Sequence, residues 1–238
     1  MQNIYDPEYV KKLFNQMSGS YERMNSITSF GFSIIWRKQF LNKLTCYSSE
    51  IHVIDLLSGL GENWNTLKKR YPNATIHGLD FSEEMILKSQ KKNEKSFQNC
   101  INVHQQDLLN NQLPSKYFDI VSCAFGLKTF NSNQLEVLGK TLHTILNNNG
   151  QFSFIEISVP ENKILKFLFG LYLGKIIPIL GKLFLGNPSD YKMLWNYTSK
   201  FKNCREVQKI FEKYGLEVNY HSYFFGCATG ISGKKIKC

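Results

Sequence analysis

Paired cysteines are missing from this chain. Its six, Cys46, Cys100, Cys123, Cys204, Cys227 and Cys238, stand far apart with no CxxC, which argues against a zinc site and a disulfide scaffold and suits a reducing compartment such as the cytoplasm. The opening MQNIYDPEYVKK has no apolar core before a cleavage site, so no secretory signal is expected. Nor is there an unbroken apolar run of the roughly 20 residues that cross a bilayer. In the most apolar stretch, residues 164–186, Lys166, Lys175, Pro178 and Lys182 interrupt the run. That pattern predicts an interfacial helix or a substrate lid, with Gly170, Gly174 and Pro178 breaking it into hinged pieces. Acidic residues are sparse, 19 against 29 Lys and Arg, giving a net charge of +10. Such a balance attracts nucleic acid, anionic headgroups or an anionic substrate, although scattered lysines such as Lys68, Lys88 and Lys91 read as solvated helix faces.

What is present is enough apolar content, 42%, for one sizeable core. Short apolar strands alternate with helical patterns. IHVIDLLS precedes a helix over 62–70, TIHGLDF precedes SEEMILKSQKKNEK, and INVHQQD and YFDIVSCAF follow. A helix over 134–146 carries Leu135, Leu138, Leu142 and Leu146 on one face, ends in NNNG, and leads to QFSFIEIS. His143 falls on a face of that helix and reads as structural. This alternation predicts βαβ units, hence an α/β fold with a mostly parallel sheet. After the apolar insert, CREVQKIFEKYG reads as a helix, and LEVNYHSYFF with GCATGISGKK as two closing strands, one of them antiparallel.

The stretch HVIDLLSGLGENW ends a strand in a glycine turn and opens a helix. A dinucleotide fingerprint requires GxGxxG with a pyrophosphate at the helix N-terminus. Here Gly59-Leu60-Gly61 is followed by Glu62, so the last glycine is absent and a carboxylate stands where it repels phosphate. A ligand with a cationic centre suits this turn better. Asp80, about 20 residues beyond the turn, is placed for ribose hydroxyls, and Asp107, ending the third strand, for an exocyclic amine. Three loops thus converge on a nucleoside.

Those residues, with Asp55, resemble the S-adenosylmethionine (SAM) site of class I methyltransferases. FNQMSGSYERMNSITSFGFSIIWRK, FDIVSCAFGLKTF, GQFSFIEISVP, SDYKMLWNYTSKF and GCATGISGKK resemble segments of the C-methyltransferase family of ubiquinone and menaquinone biosynthesis, over nearly the whole chain. The resemblance implies a Rossmann-like single domain, 1–238, with a seven-stranded sheet whose last strand is antiparallel. It also implies an N-terminal helical cap over 1–45 and a helical lid over 161–200. SAM would be the cofactor, bound by Asp55, Gly59, Leu60, Gly61, Asp80, Phe81, Asp107, Leu108 and Ala124, with no metal. Met24, Asn25, Trp36, Phe125, Tyr191 and Tyr197 would contact the acceptor. The chain departs from the family's pattern at three places. Leu57 replaces a small residue, Lys128-Thr129 replaces Arg-Asn, and Ser232 replaces His.

Methyl transfer from a sulfonium depends on alignment more than on acid or metal chemistry. A ring carbon attacks best when a neighbouring hydroxyl is deprotonated. Lys128 is the candidate to stabilise a phenolate, Glu156 the candidate base, direct or through water, and Tyr21 a positioning group. The expected reaction is ring-carbon methylation of a small aromatic, prenylated quinol or phenol by a cytoplasmic enzyme, with peripheral membrane contact and a homodimer as further expectations. Alternatives are O- or N-methylation of a secondary metabolite, RNA methylation, which the apolar insert disfavours, and a non-catalytic SAM-binding assembly subunit.

Overall fold

A computed structural model describes residues 3–19, 28–183 and 188–236, except for the side chains of 181, 183 and 188–191. Two helices lead. In α1 (Pro7–Met17) the Asp6 carboxylate accepts the Tyr9 N–H at 3.0 Å and Pro7 supplies a pre-set φ at the first position. Helix α2 (Phe32–Leu41) buries Trp36, Arg37, Phe40 and Leu41. The alternating core follows: β1 (His52–Leu56), α3 (Trp64–Arg70), β2 (Thr75–Asp80), α4 (Glu83–Phe97), β3 (Ile101–Gln105), β4 (Phe118–Ala124), α5 (Ser132–Ile145) and β5 (Leu146–Ile157). Then come α6 (Lys163–Leu171), α7 (Ile177–Leu183), α8 (Pro188–Phe201), α9 (Arg205–Lys213), β6 (Leu216–Tyr223) and β7 (Ala228–Lys235).

The seven strands run in the order β3-β2-β1-β4-β5-β7-β6. All pairs are parallel except those made by β7, which is antiparallel to both β5 and β6. One face packs on α5 and α9 through Leu135, Leu138, Leu142, Phe152, Phe154 and Phe211. The other packs on α2 and α3 through Trp36, Phe40, Trp64, Leu67 and Tyr71. Strand order reverses between β1 and β4, and the loops leaving those two ends diverge to open a crevice.

Two local expectations are corrected. The NNNG segment does not close α5, which is fixed at its start by a capping box between Asn131 and Gln134 and ends at Ile145. Strand β5 begins at Leu146, opposite Phe118, and its register shifts before Gln151 meets Ile120, so NNNG forms an irregularity inside the strand. The apolar insert is not broken at its glycines either. A π-turn over Tyr172–Ile176 joins α6 to α7, with the Ile177 N–H reaching the Tyr172 carbonyl, so the helical run continues through Pro178. Gly170 and Gly174 instead make room for Trp195 of α8, whose indole lies 3.1 and 3.3 Å from where their Cβ atoms would stand. Gly170→Leu should therefore push α8 off this run. The expected result is a Tm lowered by several degrees with a red-shifted Trp195 emission, measured by thermal scanning and fluorescence.

Candidate active site

At the end of β1, Asp55 is fully buried. Its Oδ1 accepts from Ser122 Oγ of β4 at 2.7 Å and from Asn63 Nδ2 at 2.9 Å, and burial pushes its pKa up to about 6. Oδ2 has no partner. Arg37 of α2 donates through Nη1 to Asn63 Oδ1 at 2.9 Å, and its Nη2 lies 3.4 Å from Glu62. At the end of β2, Asp80 accepts the Gly59 N–H at 2.9 Å and the Ser82 N–H at 3.0 Å; its pKa also rises to about 6, because desolvation outweighs those bonds. Gly59 and Gly61 have φ of +54° and +72°. The space a Cβ would take at Gly61 is filled by the Trp64 indole, 2.5 Å away, so that glycine seats a core side chain. Gly59 faces the crevice.

A cleft of about 40 Å³ opens there, lined by Gly59, Glu62, Asp80, Phe81, Ala124 and Phe125 among others. Phe14 of α1 forms part of its lining. Helix α1 is fastened to α4 by Lys11 on Glu83 at 2.5 Å, Asn15 on Glu83 at 2.9 Å and Ser82 on Asn15 at 2.6 Å. Beyond it lies a cavity of about 330 Å³ whose wall is mainly apolar, including Phe32, Trp36, Leu165, Phe169, Leu173 and Tyr197. Phe14, Phe125 and Thr129 line both spaces. Lys128 is the charged side chain in the larger wall among the described residues. Its Nζ donates to Glu156 Oε1 at 2.9 Å and to the Phe125 carbonyl at 2.6 Å. Glu156 has no exposed surface and also accepts the backbone N–H groups of Lys128 and Ile157, at 3.1 and 2.7 Å.

The sequence-derived residues divide accordingly. Gly59, Asp80, Phe81 and Ala124 line the cleft, while Asp55, Leu60 and Gly61 shape the turn behind it. Asp107 caps the 3-10 turn that contains buried Leu108, accepting the Leu109 N–H at 2.9 Å, beyond the cleft's walls. Trp36, Phe125 and Tyr197 line the larger cavity, and the Tyr197 hydroxyl donates to the Ile4 carbonyl at 2.5 Å. Tyr21, Met24 and Asn25 lie outside the described residues, as does the side chain of Tyr191 on α8. Ser232 is turned to His221 of β6, 2.7 Å away. Phe14, Arg37, Asn63 and Ser122 escaped the sequence reading. All four lie in the segments that carry the family resemblance or the glycine turn, Phe14 at the head of the first and Arg37 beside Trp36, but nothing local assigns them a role; tertiary contact does.

The profile of the ubiE/COQ5 methyltransferase family matches residues 1–235. The chain belongs to that family. It is 30% identical over 237 residues to a demethylmenaquinone methyltransferase of Staphylococcus aureus, covering 99% of this chain and 96% of that one. It is 28% identical over 233 residues to one of Listeria monocytogenes, covering 97% of each. Among solved structures, it resembles a SAM-dependent methyltransferase of Aquifex aeolicus with a TM-score of 0.60 at 17% identity, covering 84% of this chain and 89% of that one. The protein is thus a SAM-dependent methyltransferase with the Rossmann-like fold expected of it.

The residue types around the cleft fit such a cofactor, whose entry would require the surrounding loops to part, because about 40 Å³ is far below the volume of a small-molecule pocket. Gly59 is open to it and, among the described residues, the Asp80 carboxylate takes backbone donors and Asp55 keeps a buried oxygen without a hydrogen-bond partner beside the turn. Ribose hydroxyls would be accepted by the ionised form of Asp80, and its pKa near 6 means that it gains a proton as pH falls through 6. Affinity for S-adenosylhomocysteine should therefore be greater at pH 7.5 than at pH 5. Asp80→Ala should weaken binding by about 1.5–3 kcal/mol, the cost of losing charge-assisted hydrogen bonds, as read by calorimetry at both pH values. Equal affinity in mutant and wild type overturns the assignment.

Proposed function

We propose that this methyltransferase transfers the SAM methyl group to a ring carbon of a prenylated quinol. The observation that carries this reading is the apolar cavity of about 330 Å³ beside the cofactor cleft, with one ammonium, Lys128, in its wall. An apolar wall accepts a lipophilic aromatic body, and a single cation selects an acceptor that develops negative charge. The relatives' name, demethylmenaquinone methyltransferase, points to the same acceptor class.

The quinol hydroxyl proton would pass to solvent water, the ring carbon of the resulting phenolate would take the methyl group, and the proton on that carbon would then leave to water, restoring the aromatic ring. SAM when bound supplies the methyl group. Lys128 Nζ stabilises the phenolate oxygen. Glu156 holds Lys128 in place; because its carboxylate is spent on three hydrogen bonds, it works through Lys128 rather than on the acceptor. Where the family pattern has Arg, a lysine offers a point charge in place of a bidentate fork.

Removing Lys128 alone would strand the buried Glu156 charge, at a cost of about 3–5 kcal/mol. The clean variant is Lys128→Met combined with Glu156→Gln. It should keep S-adenosylhomocysteine affinity by calorimetry while turnover of a demethylnaphthoquinol falls by about 100-fold, and Lys128→Arg should retain most activity. Unchanged turnover in the double variant removes the pair from the mechanism.

The helices over 163–201 with α1 and α2 form the cover, and the acceptor enters from a membrane surface on the cytoplasmic side. No described helix is long and apolar enough to cross a membrane. Supporting peripheral contact, Phe30, Phe167, Leu168, Ile179, Phe224 and Phe225 are exposed, and Phe30, Leu168 and Phe224 also line the cavity. Lys163, Lys166 and Lys175 are exposed on the same helical run, which carries no acidic residue from 163 to 183. Co-sedimentation with anionic vesicles should fall with added salt and be lost in Phe167→Ser/Phe225→Ser. No vesicle binding, together with a stable dimer that these changes dissociate, assigns the patch to a second copy instead.

A further inference from the structure

We propose that Arg37 is a positioning residue that ties the cofactor turn to Phe125 and Trp36, so that occupation of the cofactor cleft is transmitted to the wall of the acceptor cavity. The proposal rests on the two-cavity reading above. Phe125 belongs to both walls, so its ring forms part of the partition across which the methyl must pass. Its backbone is left-handed, at φ +66°, a conformation that a bulky residue holds only when its surroundings impose it. Three contacts do so. Its N–H donates to the Ile155 carbonyl at 2.8 Å, its carbonyl accepts from Lys128 Nζ, and its ring lies under the Arg37 guanidinium, 4.9 Å from carbon to centroid.

The same guanidinium holds the cofactor side. It donates to Asn63, which donates in turn to Asp55, and it sits 3.4 Å from Glu62, whose side chain lines the cofactor cleft. A planar guanidinium can bond two acceptors with its edges and an aromatic ring with its face; an ammonium cannot do both. Trp36, the next residue, lines the acceptor cavity with its ring 6.5 Å from Phe125 and 5.4 Å from Phe32. A ligand that displaces Glu62 or the glycine turn therefore acts on Arg37, and through it on the partition and on Trp36. In-line transfer needs the reacting atoms within about 3–3.5 Å, so the placing of this partition sets the rate.

S-adenosylhomocysteine alone is the probe, with tryptophan fluorescence and calorimetry run in parallel. In the wild type it should shift the emission, and Trp36→Phe should abolish the shift, assigning it to Trp36. Arg37→Gln and Arg37→Lys should bind the probe within about fivefold of wild type yet give no shift. With a demethylnaphthoquinol acceptor, both should lower kcat by about tenfold or more while the KM for SAM changes much less. A shift that survives in Arg37→Gln, a wild type without a Trp36 shift, or an Arg37→Lys variant indistinguishable from wild type overturns the proposal. Arg37→Lys keeps the charge and guards against a variant that fails to fold. Failure of the quinol to react sinks the acceptor reading while leaving the fluorescence result to stand by itself.

Discussion

A carboxylate taken out of water costs several kcal/mol unless donors surround it, and Asp55 is such a group at the point where the sheet reverses. Ser122 fastens it to β4, Asn63 to the start of α3, and Arg37, through Asn63, to α2. Four elements are thereby held around one buried charge. The crevice opens between β1 and β4 because those two strands are pinned together just below it while their loops leave in opposite directions.

Strain gathers around that pin. Leu57 and Phe125 follow β1 and β4 with φ of +52° and +66°, each a conformation costing on the order of 1–3 kcal/mol for a bulky side chain. Leu57 stands where the family pattern has a small residue, and its neighbour explains how it is accommodated. A Cβ on Gly126 would lie 2.4 Å from Leu57 Cδ1, so the missing side chain on one loop houses the extra one on the other. Leu57 itself lines the cleft.

The second buried charge, Glu156, has a different surrounding. It meets an ammonium and two backbone donors, and the ammonium also binds the Phe125 carbonyl. Hence the fifth strand, the loop after the fourth and the partition between the two cavities share one polar cluster, of which Lys128 also lines the larger cavity. Arg37 grips the ring of the same phenylalanine from the other side.

The alternation of apolar strands with amphipathic helices sufficed for the α/β class, the parallel sheet and its antiparallel closure, because period-two and period-3.6 patterns are local. The strand-end acids Asp55 and Asp80 were legible for the same reason: a residue that ends a strand in a doubly wound sheet has a predictable place. Local signals misled where a distant side chain decided the outcome. Gly170 and Gly174 read as hinge points, yet each leaves room for the Trp195 indole. Glu156 read as a candidate base, direct or through water, and its carboxylate bonds Lys128, 28 positions away in sequence. Arg37, Asn63 and Phe14 carried no pattern of their own; their roles depend on which surfaces meet across the sheet's reversal, and only the folded packing of α1 and α2 over that crevice brings those surfaces together.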